Sequence, residues 1–382
     1  MATSAAIVLL AILLTRYVLR PPEGLRLAAY ANLSIYTISA LTFSAATGTA
    51  QGGVDALKFF TRGADIDVST VETLYQANFV YFVSNQLQSI LPLDYRSFNV
   101  LGALLFSYVG MLLLMARNPV PTRSEIQLWW VLTLMPAYHF WTTPFGKDSM
   151  QILFLGLFFY SQAIVPRICA VGLLLLLRPH IALVIALAWA ISNLFKKRVT
   201  VGRVLILFGS VAIGAFAARY LADRLGGADI YSLLLLFSEY GDDWKHGTLR
   251  LNETTFPIGV VEFMFRPYFW EVLSWSQFIA WLDGTLSALV VLIILLATAS
   301  RARFRTSWLA AVLMIVMLAL TNPNVGTAYR KKQPILFLAV ATYLSVPRRR
   351  AGNWTAQSSR PSSLTDRGQR PELHVPSVDN VL

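Results

Sequence analysis

The chain has 382 residues, 56% of them hydrophobic and only 14% charged, with a mean hydropathy of +0.56. A soluble domain carries about 25% charged residues, so this composition argues against a soluble globular fold and predicts an all-α, polytopic membrane bundle. The formal net charge of +12 does not point to a nucleic-acid partner, because the basic residues fall in short clusters between apolar stretches, as topology-setting loops do. A β-barrel would alternate apolar and polar positions, and "ALVVLIILLATA" does not alternate. Cys169 is the sole cysteine, which excludes an internal disulfide and any multi-cysteine metal site.

In chain order, "MATSAAIVLLAILLTRYVLR" has no positive n-region and its charges follow the apolar run, so it reads as a retained first span and not a cleaved signal. Candidate spans then fall at 3–19, 27–47, 98–116, 126–142, 149–166, 168–177, 181–195, 199–221, 278–299, 306–321 and 334–347. Several are shorter than the roughly 20 residues a straight spanning helix needs. Within "LLLLLRPHIALVIALAW", Pro179 interrupts helical hydrogen bonding and Arg178 is costly in hydrocarbon. Two short helices meeting at "RPH" explain both residues; a single 28-residue helix over 168–195 would leave Arg178 at mid-depth.

Two long connections separate the spans. Residues 48–97 carry "VDALKFF" and then the polar-aromatic "YQANFVYFVSNQLQSILPLDYRSF", which reads as interfacial or re-entrant helix. Residues 222–277 end in "FMFRPYFWE", whose aromatics suit a headgroup boundary. The spans and both loops make up a membrane domain over 1–347. The Ser-, Pro- and Arg-rich remainder, 348–382, reads as a disordered tail.

Sidedness follows from Lys and Arg. One set of loops holds Arg16, Arg20, Arg26, Arg117, Arg123, Arg167, Lys196, Lys197, Arg198, Arg203, Arg301, Arg303, Arg305 and Arg348 to Arg350, against two acids, Glu23 and Glu125. The positive-inside rule makes these loops cytoplasmic. Eleven spans result, with the N-terminus outside, the C-terminus inside and both long loops outside. The hairpin at "RPH" is what keeps "RNPVPTR" and "FKKR" on the same side.

On that topology the unusual polar residues share the outer face. Asp55 and Lys58 lie in the first long loop, Lys147 and Asp148 in "TTPFGKDSM", and Arg178 and His180 at the hairpin tip. Arg266 and Glu271 precede the ninth span, and Arg330, Lys331 and Lys332 join the last two. Cations delivered by separate segments suit a phosphate or diphosphate, with Arg giving a fork and Lys a point charge. The acids and the histidine are candidates for taking the proton of a sugar hydroxyl. Neither a P-loop nor a Rossmann glycine run occurs, so an activated donor would arrive attached to a lipid.

The succession "HFWTTPFGKDSM", "LLLLLRPHIALVIALA", "FMFRPYFWE" and "GTAYRKKQPILFL" resembles bacterial multispanning envelope-polysaccharide proteins: Wzy-type O-antigen and exopolysaccharide polymerases, and more distantly C-type glycosyltransferases. The resemblance covers residues 50 to 345, with "FGKDS", "RPH" and "FRPYFWE" its most specific parts. It implies a cytoplasmic-membrane enzyme that joins sugar repeat units carried on undecaprenyl diphosphate at the periplasmic face, alongside other polysaccharide-assembly proteins. Arg178 and Arg266 would hold the donor diphosphate, assisted by Lys147, Arg330 and Lys331; His180, Asp55 or Asp148 would accept the proton; Glu271 and Lys58 would line the substrate. No metal is required, because cations already neutralise the leaving group. The second long loop lacks the arginine-rich signature common in Wzy-type proteins. "VDALKFF" is more similar to C-type glycosyltransferases, which would make Asp55 the base for transfer from a polyprenyl monophosphate. A transporter of lipid-linked oligosaccharide, or an assembly subunit, is the non-enzymatic alternative.

Overall fold

The computed structural model describes residues 2–47, 55–62, 77–91, 93–195, 209, 256–266, 268–272, 275–302, 305–321 and 325–346. The chain divides into two units, Met1–Val346 and Pro347–Leu382. The second unit, the predicted span 199–221 apart from residue 209, and residues 222–255 of the second long loop lie outside the described residues. Every regular element among the described residues is helical, and each predicted span within them is occupied by helix.

The first helix, α1 (Ala2–Leu13), continues through π-helical turns to Leu19 and runs parallel to α5 (Tyr95–Ala116). The hydroxyls of Ser4 and Ser97 are 2.8 Å apart, and those of Thr15 and Tyr108 are 2.9 Å apart. Between them in sequence, α2 (Arg26–Thr47) runs the opposite way: Asn99 Nδ2 donates to Ser44 Oγ at 3.0 Å, and the Thr47 and Tyr95 hydroxyls meet at 2.9 Å. These inter-helix hydrogen bonds satisfy polar groups that burial would otherwise penalise.

Two short helices, α3 (Asp55–Arg62) and α4 (Ala77–Ile90), pack on each other, with Ser84 Oγ donating to the Phe59 carbonyl at 2.7 Å. Phe79 of α4 reaches Phe154 in the middle of α8 (Lys147–Tyr160), ring centroids 6.5 Å apart. So α4 packs against the central helix of the bundle.

The centre of the bundle is α8, buried along most of its length and packed against α5, α9 (Ile164–Leu177) and α14 (Val325–Ser345). Its crossing with α5 is backbone to backbone. A Cβ at Gly110 would stand 2.5 Å from the Ile152 carbonyl oxygen, and one at Gly156 would stand 2.5 Å from the Gly110 carbonyl oxygen. Small residues at such a crossing let helices approach where lipid offers no hydrophobic drive. The remaining core is built by α10 (Pro179–Leu194), α11 (Phe256–Phe265), α12 (Trp275–Ala302) and α13 (Thr306–Thr321).

Among the described residues, two helices are long and apolar enough to cross a membrane, Tyr95–Ala116 and Trp281–Ala302, each 22 residues. At about 1.5 Å per residue that is about 33 Å, against about 30 Å of hydrocarbon. Thr3–Leu19, Ile164–Leu177, Pro179–Leu194 and Thr306–Ala319 are shorter apolar helices. Along α12 the exposed Leu282, Leu286, Leu289, Ile293 and Leu296 recur at helical spacing, an apolar stripe suited to lipid.

Three expected boundaries are corrected. The span 126–142 is two helices, α6 (Arg123–Thr133) and α7 (Pro136–Thr142), because Pro136 starts a helix and holds Met135 extended. The span 149–166 ends at Tyr160; Pro166 and Arg167 belong to α9, where a proline in the first turn removes no needed donor. Finally, Arg330, Lys331 and Lys332 are not in a loop but in α14, which begins at Val325 and runs through Pro334. Pro334 has no N–H for the Arg330 carbonyl, so the helix lacks one bond beside these cations.

Candidate functional site

Successive helix ends alternate between two ends of the bundle, called here the Lys147 end and the Arg117 end. The turn before Lys147 is held by α5. Asn99 Oδ1 accepts from the Phe145 N–H at 3.2 Å, Ser107 Oγ donates to the Thr142 carbonyl, and Gly102 leaves room for the Phe145 backbone. At Gly146 the Ser149 hydroxyl accepts the backbone N–H at 3.2 Å and donates to the carbonyl at 3.0 Å, fixing the first turn of α8. Lys147 and Asp148 therefore leave the turn in one direction.

At the other side of the cluster, α9 ends and α10 begins around Arg178. The Arg178 N–H donates to the Leu174 carbonyl at 2.7 Å, and its own carbonyl accepts from Ile181 at 3.0 Å. The two helices fold back on each other. Arg167 near the start of α9 lies 5.8 Å from the Phe158 ring centroid, and Trp189 near the end of α10 lies 5.4 Å from the same ring. That geometry is the hairpin, not the 28-residue helix, and it puts Arg178, Pro179 and His180 at the tip.

The tip meets the start of α8 through an ion pair in which Arg178 Nη2 donates to Asp148 Oδ1. Arg178 is 9% exposed and Asp148 8%, so each neutralises a charge that would be costly alone. His180 is half-buried beside them, and the charges of Arg178, Lys331 and Lys147 all bear on its imidazole. Burial, then these cations, favour the uncharged ring. Three separate segments thus bring cations around one histidine.

A second cluster adjoins through α14. Arg266, just past α11, donates to Glu271 Oε1 from Nε at 2.8 Å and from Nη2 at 2.6 Å, while the Tyr268 N–H donates to Oε2 at 2.8 Å. Burial opposes ionisation of Glu271, but the Arg266 and Tyr268 hydrogen bonds outweigh it and hold the carboxyl below its ordinary range. Lys332, next to Lys331, donates to the Arg266 carbonyl at 3.0 Å and is drawn electrostatically to Asp283 of α12. Both Lys332 and Asp283 are 3% exposed.

Of the residues singled out from the sequence, Lys147, Asp148, Arg178, His180 and Lys331 come together, and Arg266 with Glu271 joins them by way of Lys332. The side chain of Arg330 lies outside the described residues. Asp55 is exposed and Lys58 half-buried on α3, which reaches the same turn: a Cβ on Gly146 would be 3.3 Å from the Phe59 ring. Sequence reasoning passed over Asp283 and Gln151. Asp283 is an acid inside an apolar helix, which is a pointer to a site by itself. Gln151, 1% exposed and one turn below Lys147, has no hydrogen-bond partner among the described residues for either amide atom. Among the described residues no group of three or more His, Cys, Asp or Glu side chains forms a metal site. No protein-family model, curated protein or solved structure matches the chain.

Proposed function

We propose that the protein is a glycosyltransferase of the polysaccharide-polymerase type, embedded in a bacterial cytoplasmic membrane by eleven spans, with the Lys147 end facing the periplasm. The observation that carries the reading is the gathering of Lys147, Arg178 and Lys331 around His180, with Arg178 fixed by Asp148. The resemblance of "FGKDS", "RPH" and "FRPYFWE" to Wzy-type proteins, and the apolar stripe on α12, support the same reading.

In this mechanism the donor is a glycan on undecaprenyl diphosphate. Its phosphates bind Lys147, Lys331 and the guanidinium nitrogens of Arg178 not held by Asp148. The acceptor hydroxyl attacks the anomeric carbon, the bond from that carbon to the phosphate oxygen breaks, and the hydroxyl proton passes to His180. The electron pair leaves on the lipid diphosphate, where the cations stabilise it. Diphosphate binding also neutralises the charges around His180 and raises its proton affinity, so the base is strongest with donor in place. Asp148 positions Arg178 and does not act as the base, because its carboxylate is occupied by the guanidinium. Arg266, clamped by Glu271, borders the donor site, a role the resemblance assigns to Arg330 as well.

A second reading has one observation in its favour: α3, carrying Asp55, reaches the turn before Lys147. In that case the enzyme is a C-type transferase with Asp55 as base. Complementing a deletion strain and reading glycan chain length on gels separates the two. For the polymerase, His180→Ala leaves single-repeat glycolipid exposed outside, while Asp55→Asn retains long chains. The opposite pattern supports Asp55, and glycolipid trapped inside the cell supports a transporter.

A further inference from the structure

One cavity bordered by described residues lies away from the cluster around His180. It has a volume of about 670 Å3 and lies at the Arg117 end, where the same helices finish. Its charged lining among the described residues is Arg117, Arg167, Arg301 and Arg305, with no carboxylate among them. Hydroxyls of Ser192, Ser300 and Ser307 add donors, and Phe158, Phe159 and Trp189 form an aromatic wall.

The arginines are not satisfied by one another. Arg117 Nη1 is buried with no hydrogen-bond partner among the described residues, and the charges of Arg167 and Arg305 both act on this guanidinium. Arg167 has one bond, from Nε to the Ser161 carbonyl at 2.8 Å, and its guanidinium lies against the Phe158 ring. Like charges in a partly desolvated recess repel, and the repulsion is relieved by an anion with several acceptor oxygens. Phosphate supplies such oxygens and matches the guanidinium fork. The aromatic wall beside the arginines suits a ligand whose phosphate continues into an apolar body, as a lipid headgroup does.

We propose that this recess is a binding site for a phosphate-bearing anion, separate from the cluster around His180 and at the opposite end of the bundle. Its lining comes from the ends of α5, α8, α9, α10, α12, α13 and α14, so an occupant ties together the helices that carry Lys147, Arg178, Asp283 and Lys331 at their other ends. The expected consequence is stabilisation of the folded bundle by mass action.

The test uses the purified full chain in dodecyl maltoside micelles, with the thermal unfolding midpoint as readout. Dioleoylphosphatidylglycerol is expected to raise it by at least about 3 °C, and dioleoylphosphatidylcholine is expected to leave it unchanged. The double variant R301Q/R305Q, at two exposed positions, is expected to lose at least half of the shift, as is Arg117→Gln. If inorganic phosphate alone gives the same variant-sensitive shift, the site takes free phosphate. Absence of a shift with either probe, or an equal shift in wild type and both variants, overturns the proposal.

Discussion

Arg178→Lys is expected to lower glycan polymerisation by at least about a hundredfold, with the protein still accumulating in membranes at wild-type level. Lysine keeps the positive charge that balances the buried Asp148 carboxylate, so the ion pair at the hairpin tip survives and the helices stay together. What lysine loses is the planar fork, which lets one guanidinium bond Asp148 and a phosphate oxygen simultaneously. Chain-length analysis in the deletion strain reads the activity, and immunoblotting of membranes reads the protein. Asp148→Asn is the companion variant: it leaves the buried Arg178 charge uncompensated, and so lowers protein level as well as activity. Loss of protein with Arg178→Lys, or long chains with it, would count against the phosphate role.

Gly156→Val is expected to destabilise the bundle strongly. A Cβ at this position meets the Gly110 carbonyl oxygen at 2.5 Å and its Cα at 2.8 Å, both backbone atoms that no rotamer change can move. Overpacking in a well-filled core costs about 1–3 kcal/mol, and a clash with backbone falls at or beyond the upper end because α5 must shift as a whole. That shift would also carry Asn99, Gly102 and Ser107 away from the turn that aims Lys147. Gly172→Val is the control, since nothing lies within 4 Å of a Cβ there. The thermal midpoint of purified protein should fall by several degrees for Gly156→Val and hold for Gly172→Val.

The helices were legible because apolar runs and their breakers are local. The fold-back at "RPH" could be read because an arginine followed by proline is hard to keep inside a continuous apolar helix. The gathering of four arginines from three basic segments around one recess was also readable, as shared sidedness, though not as a cavity. Other features depend on tertiary contact and left little trace. Gly110 and Gly156 look like ordinary glycines in apolar helices until their backbones are found touching. Asp148 was readable as a helix-start acid or a base, whereas its role as partner of Arg178 depends on where the hairpin tip lands. Lys332 and Asp283 lie far apart in sequence, and only the packing of α12 on α14 reveals that they face each other. The charges of Arg330 to Lys332 look like those of a loop, yet they lie on α14, which continues through Pro334.

In the proposed topology the cation cluster opens to the exterior and the arginine recess to the cytoplasm. Cys169 is the sole cysteine, so Cys169→Ser gives a background without thiols. Into it, Trp270→Cys marks the Arg266–Glu271 segment and Val120→Cys marks the Arg117 end, at positions 75% and 76% exposed. With a membrane-impermeant maleimide on intact spheroplasts, position 270 is predicted to label at once and position 120 only after permeabilisation. Labelling of 120 from outside with 270 protected, or of both from the same side, would contradict the account.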